Sequence, residues 1–139
     1  MRIREITSLE QIQFIHDRLY EFNLSKTGGK KKEIILTPEP PRFGWYVTAD
    51  GDEIIRGGLV WQLHRGNEFY IDFLWLDESL RGTGLGRQLL DLACECARSK
   101  KCTAVTLFTS DFQAPGFYRK YGFSLTENKG RTFFYRLEL

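Results

Sequence analysis

The chain has 139 residues, 42% hydrophobic, 14% aromatic and 27% charged, with a net charge of +2. That is one domain's worth of chain with ample material for a core. The charge is too small to argue for nucleic acid, and no apolar run is long enough to cross a bilayer. Met1-Arg-Ile-Arg-Glu5 lacks the apolar segment of a signal peptide, so a cytoplasmic location is expected. Cys94, Cys96 and Cys102 make an odd count that reads as reduced thiols rather than a disulfide framework. Cys94 and Cys96 point to different sides of a helix and no histidine lies near them in sequence, so no metal is expected.

Arg2 to Ile6 alternates charged and apolar residues and reads as a strand. Ser8-x-x-Gln11 is a capping box, and Ile12, Ile15, Leu19 and Phe22 share one face, which predicts a helix over about residues 9–22. Ser25 to Lys32 then reads as flexible and basic, Glu33 to Leu36 as a short helix or strand, and Thr37 to Pro41 as stiff and extended. Lys30, Lys31 and Lys32 are read either as a solvated loop tip, or as a gate that prefers an acidic ligand or touches a ligand phosphate. Gly44 to Ala49 is a strand, Asp50-Gly51 a tight turn, and Glu53 to His64 a long strand. That strand is interrupted at Gly57-Gly58, where a bulge or a close backbone approach is expected. After a turn at His64 to Asn67, Phe69 to Leu76 reads as a buried strand that completes an antiparallel meander.

Beyond Asp77 to Ser79 the chain runs Arg81-Gly-Thr-Gly-Leu-Gly-Arg87 into a helix over 84–98, with Leu85, Leu89, Leu92, Ala93 and Cys96 as its apolar stripe. Thr103 to Phe108 then makes a parallel partner for the central strand. Ala114, Phe117, Tyr118 and Tyr121 follow at helical spacing, Gly122 suits the helix stop, and Phe123 to Thr126 and Thr132 to Leu139 form a last hairpin. Glycines between a strand and a helix expose backbone N–H groups at the positive end of the helix dipole, which is a phosphate site. The dinucleotide spacing fails because Arg87 stands where a third glycine is needed, and the P-loop fails because Gly29-Lys30 is followed by Lys31.

What remains, Arg81-x-x-Gly84-x-Gly86, resembles the pyrophosphate motif of the GNAT superfamily of acyl-coenzyme A dependent N-acetyltransferases. Asp111-x-x-Ala114-x-x-Phe117-Tyr118-x-x-x-Gly122-Phe123 resembles the second signature of that family, with Asp111 where asparagine is usual. Both lie in order within residues 69–123, and the length suits a small bacterial-type member. The resemblance implies a mixed α/β (α+β) fold in one domain over residues 1–139. Its three α/β/α layers would enclose a mixed, mostly antiparallel twisted sheet of six to seven strands, with helices on both faces. It implies acetyl-CoA as cosubstrate, no metal, and a small-molecule, peptide or protein amine as acceptor, with no nucleic acid or membrane partner and a homodimer left open.

By the same resemblance, Leu74, Trp75 and Leu76 hold the pantetheine. Arg81, Gly82, Thr83, Gly84, Leu85, Gly86 and Arg87 hold the pyrophosphate, Asp111 touches the pantetheine, and Tyr118 is the general acid. Tyr118 also reads as a core aromatic, and Asp111 as the N-cap of the helix that follows it. Asp72, the one charge inside an apolar strand, reads as the base because burial favours its neutral form, or else as a structural carboxylate satisfied by backbone donors. Asp77, Glu78 and a water chain are its rivals. A non-catalytic coenzyme-binding module is the competing reading of the whole chain.

Overall fold

A computed structural model of the chain describes residues 1–111 and 113–139. Phe112, inside the second signature, lies outside the described residues. The described elements are β1 (Arg2–Glu5), α1 (Leu9–Thr27), β2 (Phe43–Thr48), β3 (Ile55–His64), β4 (Glu68–Leu76), α2 (Leu85–Ser99), β5 (Ala104–Ser110), α3 (Pro115–Tyr121), β6 (Ser124–Lys129) and β7 (Thr132–Glu138). The strands form one seven-stranded sheet in the order β1-β2-β3-β4-β5-β7-β6. The β4–β5 pair is parallel, whereas β1–β2, β2–β3, β5–β7 and β6–β7 are antiparallel. The expected mixed, mostly antiparallel sheet is therefore present at the upper end of its expected strand count.

The chain divides into two units, residues 1–62 with 72–89, and residues 63–71 with 90–139. In the first, Ile12 and Ile15 of α1 bury against Val60 of β3, with Leu36, Tyr46, Ile55, Phe73 and Trp75 packed around them. Ser8 and Gln11 close the capping box at the start of α1. The helix runs to Thr27, past the expected end near residue 22, and stops at Gly28 in the left-handed conformation with φ 70°. Ser25 and Thr27 return their hydroxyls to the carbonyls of Phe22 and Asn23, so this polar stretch continues the helix after its apolar stripe has ended.

Residues 33–36 form neither helix nor strand. They are tethered instead by Gln13 of α1, whose Nε2 donates to the Ile34 carbonyl at 2.8 Å and whose Oε1 accepts from the Leu36 N–H at 2.7 Å. At Gly57-Gly58 the close approach holds, while the bulge falls one residue earlier, at Arg56. The β2–β3 register shifts between Val47 and Thr48, and both glycines lie in close contact with their neighbours. A Cβ on Gly58 would stand 2.4 Å from Cδ1 of Ile15 and 2.8 Å from the carbonyl oxygen of Trp45. One on Gly57 would stand 2.6 Å from Cδ2 of Leu76 and 3.0 Å from the carbonyl oxygen of Trp75.

In the second unit, Glu68, Phe69 and Tyr70 pair in register with Ala104, Val105 and Thr106, and β5 pairs with β7 from Ala104↔Glu138 to Ser110↔Thr132. Phe69, Ile71, Val105, Leu107, Phe123 and Tyr135 are buried. The apolar stripe of α2 differs from expectation. Leu85, Leu89 and Ala93 are buried as expected, but Leu90, Cys94 and Ala97 complete the stripe, and Leu92 and Cys96 are only half-buried. Spacing alone fits either set, because residues one position apart on a helix lie about 100° apart and flank the same stripe on opposite sides.

Gly58→Ala forces a methyl group against Ile15 and against a carbonyl fixed in the β2 backbone. Overpacking of this kind costs about 1–3 kcal/mol. A thermal melt of this variant is expected to fall by several degrees, whereas Gly66→Ala, with nothing within 4 Å of its Cβ, meets only the backbone cost of φ 76°.

Candidate active site

The end of β4 leads into the glycine turn. Asp77 donates its N–H to the carbonyl of Arg56 at 2.7 Å, tying the strand end to β3. Its carboxylate caps a 3-10 turn over Glu78–Leu80, accepting from the Ser79 hydroxyl at 2.5 Å. The Ser79 hydrogen bond holds the Asp77 carboxyl below the ordinary carboxylate range. Thr83 sends its hydroxyl back to the Leu80 carbonyl at 2.5 Å, and Gln88 starts the α2 ladder by donating to Gly84. Gly82 and Gly84 have φ 76° and 83°, and a Cβ on either would meet nothing within 4 Å. These glycines thus supply a left-handed turn whose outer side is open space. Arg81, Gly82, Thr83 and Gly84 are exposed, while Leu85 and Gly86 are buried. Arg87, the last residue of the expected pyrophosphate set, is also exposed, in the first turn of α2. An open, glycine-lined helix entry fits a pyrophosphate, because it leaves N–H groups of the first turn accessible without side-chain obstruction. The Arg81 guanidinium lies 4.9 Å from the ring centroid of Phe22, on α1.

Leu74, Trp75 and Leu76 are the last residues of β4 and are half-buried, Trp75 meeting Phe14 of α1 edge-on at 6.4 Å. Adjacent strand residues face opposite ways. Phe73 packs on the α1 side, in the cluster around Ile12 and Ile15. Asp72 therefore faces the other side, where its Oδ2 accepts from Gln62 Nε2 at 2.5 Å and from Arg42 Nε at 3.2 Å. The carboxylate is 14% exposed, and its partners are side chains rather than the backbone donors of the structural alternative.

Tyr118 is buried in α3 among Phe117, Phe123 and Tyr135, at ring distances of 5.3, 5.8 and 6.1 Å. Burial pushes its phenol well above the ordinary range. Tyr121, one turn on, donates to Asp91 Oδ1 at 2.5 Å and lies 3.7 Å from Cys94 Sγ, so it fastens α3 to α2. Burial and then the Asp91 bond raise its phenol as well, and burial raises the Cys94 thiol. The N-cap reading of Asp111 is not what the structure has. Ala114, with φ 57° and no side-chain cap, occupies that position, and Asp111 instead pairs with Arg131 Nε at 3.0 and 3.1 Å. Gln113 Oε1 accepts from the N–H of Ser110 and the hydroxyl of Thr109, at the end of β5.

The polar face of α1, half-buried except at Glu21, carried no functional expectation from the sequence. Gln13, His16, Asp17, Tyr20 and Glu21, with Lys31 to Ile35, line a cleft of about 590 Å³. Its far wall is held by Gln13 at one end. At the other, the Lys32 N–H donates to the Tyr20 hydroxyl at 3.1 Å, and Lys31 pairs with Glu21 at 3.6 Å. The spacing i, i+3, i+4, i+7, i+8 was visible in the sequence, but a polar stripe opposite an apolar one reads as a solvated face.

Residues 5–123 match the Acetyltransferase (GNAT) family, and the chain belongs to it. The blasticidin-S acetyltransferase of Streptomyces morookaense is 41% identical over 88 residues, which cover 60% of this chain and 60% of that protein. A Bacillus cereus acetyltransferase structure is 30% identical with a TM-score of 0.64, covering 100% of this chain and 98% of that one. A Bacillus anthracis structure in complex with acetyl coenzyme A has 20% identity and a TM-score of 0.64, covering 73% of this chain and 66% of that one. The family uses acetyl-CoA. No helix among the described residues is long and apolar enough to cross a membrane.

Raised phenol pKa values have a visible consequence. Tyr118 and Tyr121 fold in their neutral forms, so their contribution to stability is full below the unfolded phenol value and is lost as pH rises above about 10. A spectrophotometric titration is expected to show both phenols ionising only together with unfolding. Tyr121→Phe, followed by circular dichroism, should remove one phenol from that coupled step.

Proposed function

We propose that the protein, acting as one domain in the cytoplasm, transfers the acetyl group of acetyl-CoA to a primary amine by direct attack in a ternary complex. The observation that carries this reading is the open left-handed turn at Gly82 and Gly84, directly ahead of α2. Acetyl-CoA supplies the thioester. The backbone of residues 82–87 holds its pyrophosphate, Arg81 adds a cation beside it, and the backbone of Leu74 and Leu76 pairs with the pantetheine amides. A backbone N–H near Leu74 polarises the carbonyl. Asp111 adds an acceptor for the pantetheine, a role it shares with its bond to Arg131.

Tyr118 protonates the departing sulfur. Its burial keeps the proton in place at every working pH.

We place the acceptor in the cleft between α1 and residues 31–35. Glu21 and Lys31 pair with each other there, and Asp17 and Glu33 face Lys32, leaving one net negative charge on the lining. Such a lining favours a cationic amine over an acidic one. The blasticidin-S acetyltransferase, a relative over part of its length, supports a small-molecule acceptor.

The deciding experiment is thiol release from acetyl-CoA with spermidine, an aminoglycoside, a lysine peptide and glucosamine 6-phosphate. Release with the cationic amines is expected. Coenzyme binding without release on any amine would mark a binding module instead. Gly84→Glu should abolish coenzyme A binding measured by calorimetry, and Gly84→Ala should reduce it far less. Both share the backbone strain at φ 83°, so the difference isolates the added carboxylate. Tyr118→Phe is expected to lower kcat ~10²–10⁴-fold with coenzyme affinity nearly unchanged.

A further inference from the structure

Resting on that reading of the cleft, we infer that His16 is the general base for the acceptor amine and that Asp17 positions it. The Nδ1 atom of His16 lies 3.0 Å from Asp17 Oδ1. That contact sets the tautomer with the proton on Nδ1, donated to the carboxylate, and leaves Nε2 as the basic atom. The ring is fixed from two sides, stacked on Tyr20 at 5.8 Å and 16° and edge-on to Phe73 at 5.2 Å. Phe73 immediately precedes Leu74, whose backbone is the proposed pantetheine contact. His16 thus joins the wall of the cleft to the strand that presents the thioester.

The rival groups are less suited. Asp72 faces away from α1 and its Oδ2 is taken up by Gln62 and Arg42. Asp77 is occupied by Ser79, and Glu78 is exposed. Within the cleft, Glu21 is engaged by Arg18 and Lys31, and Asp17 accepts from Gln13 as well as His16. At 11%, the His16 side chain is less exposed than Asp17 at 45%, Glu21 at 43% or Lys31 at 70%. Burial would push the Asp17 carboxyl up, but the bonds from His16 and Gln13 outweigh it and hold it below the ordinary range. A charged carboxylate steadies the imidazolium that forms when His16 takes a proton.

The acceptor enters as an ammonium and gives one proton to Nε2. The freed lone pair forms the N–C bond to the acetyl carbon, the C–S bond breaks with its electron pair leaving on sulfur, and the second nitrogen proton balances the one that sulfur receives. His16 then returns its proton to solvent. Asp17 and Tyr20 meet the ring directly, and the other charged groups lining the cleft are Glu21 on α1 and Lys31, Lys32 and Glu33 across it. From β4 it meets uncharged Phe73.

The test compares wild type, His16→Phe and Asp17→Asn, with spermidine as acceptor. His16→Phe keeps an aromatic ring in the stack and removes both nitrogens. Its kcat is expected to fall ~10²–10⁴-fold. Calorimetric affinity for acetyl-CoA should be unchanged, and the acidic limb of the kcat/KM profile should be lost, leaving only the rise from ionisation of the amine itself. Asp17→Asn keeps an acceptor for Nδ1 without the charge, and should lose less activity while shifting that limb. Wild-type kcat and an intact limb in both variants would overturn the inference while leaving acetyl transfer standing. Wild-type silence on every amine in the panel would remove the transfer reading and, with it, the base.

Discussion

Two adjacent glycines on β3 set the distances on which the candidate site depends. Gly58 lets Ile15 and the carbonyl of Trp45 come within the space a methyl group would need, and Gly57 does the same for Leu76 and the carbonyl of Trp75. Side chains alternate along a strand, so the two positions open opposite faces of the sheet. One admits α1, and with it a wall of the cleft; the other draws in the end of β4. The Asp77–Arg56 backbone bond then fixes where the glycine turn begins.

From that frame, charge is distributed by pairing. Asp72 interrupts an apolar strand, Asp77 follows it, and Asp111 stands in the second signature. In the fold each has found a donor: Arg42 and Gln62, Ser79, and Arg131 respectively. A buried carboxylate without such partners would cost several kcal/mol. The His16–Asp17 pair differs in lining an open cleft, where an imidazole can meet a ligand instead of only satisfying its neighbour.

The second unit applies the same economy to phenols. Tyr121 bonds to Asp91 and so ties α3 to α2, while Tyr118, on the same short helix, stays in an aromatic cage. The hydroxyl that anchors the helix and the hydroxyl proposed for proton transfer are thus separate groups three residues apart. Tyr121 can be read as the support that keeps Tyr118 in position.

Much of this protein was legible in its sequence, for a local reason. Capping boxes, turn glycines and apolar periodicity act over a few residues, so Ser8-x-x-Gln11, Gly57-Gly58, the strand–glycine–helix junction and the final hairpin could be read directly. The two spaced signatures carried the family. Elsewhere local signals were ambiguous: Thr27 rather than Phe22 ends α1, because a polar tail can continue a helix, and Leu90 rather than Leu92 is buried, because neighbouring stripes have the same period. What only the tertiary structure decided was pairing across distance. Gln13 holds a segment more than twenty residues away, and Arg42 reaches Asp72 from another strand's approach. No sequence spacing encodes such contacts. They exist because burying one polar group requires whichever donor the fold brings near it, and that is also why the cleft beside His16 became visible only once the chain was folded.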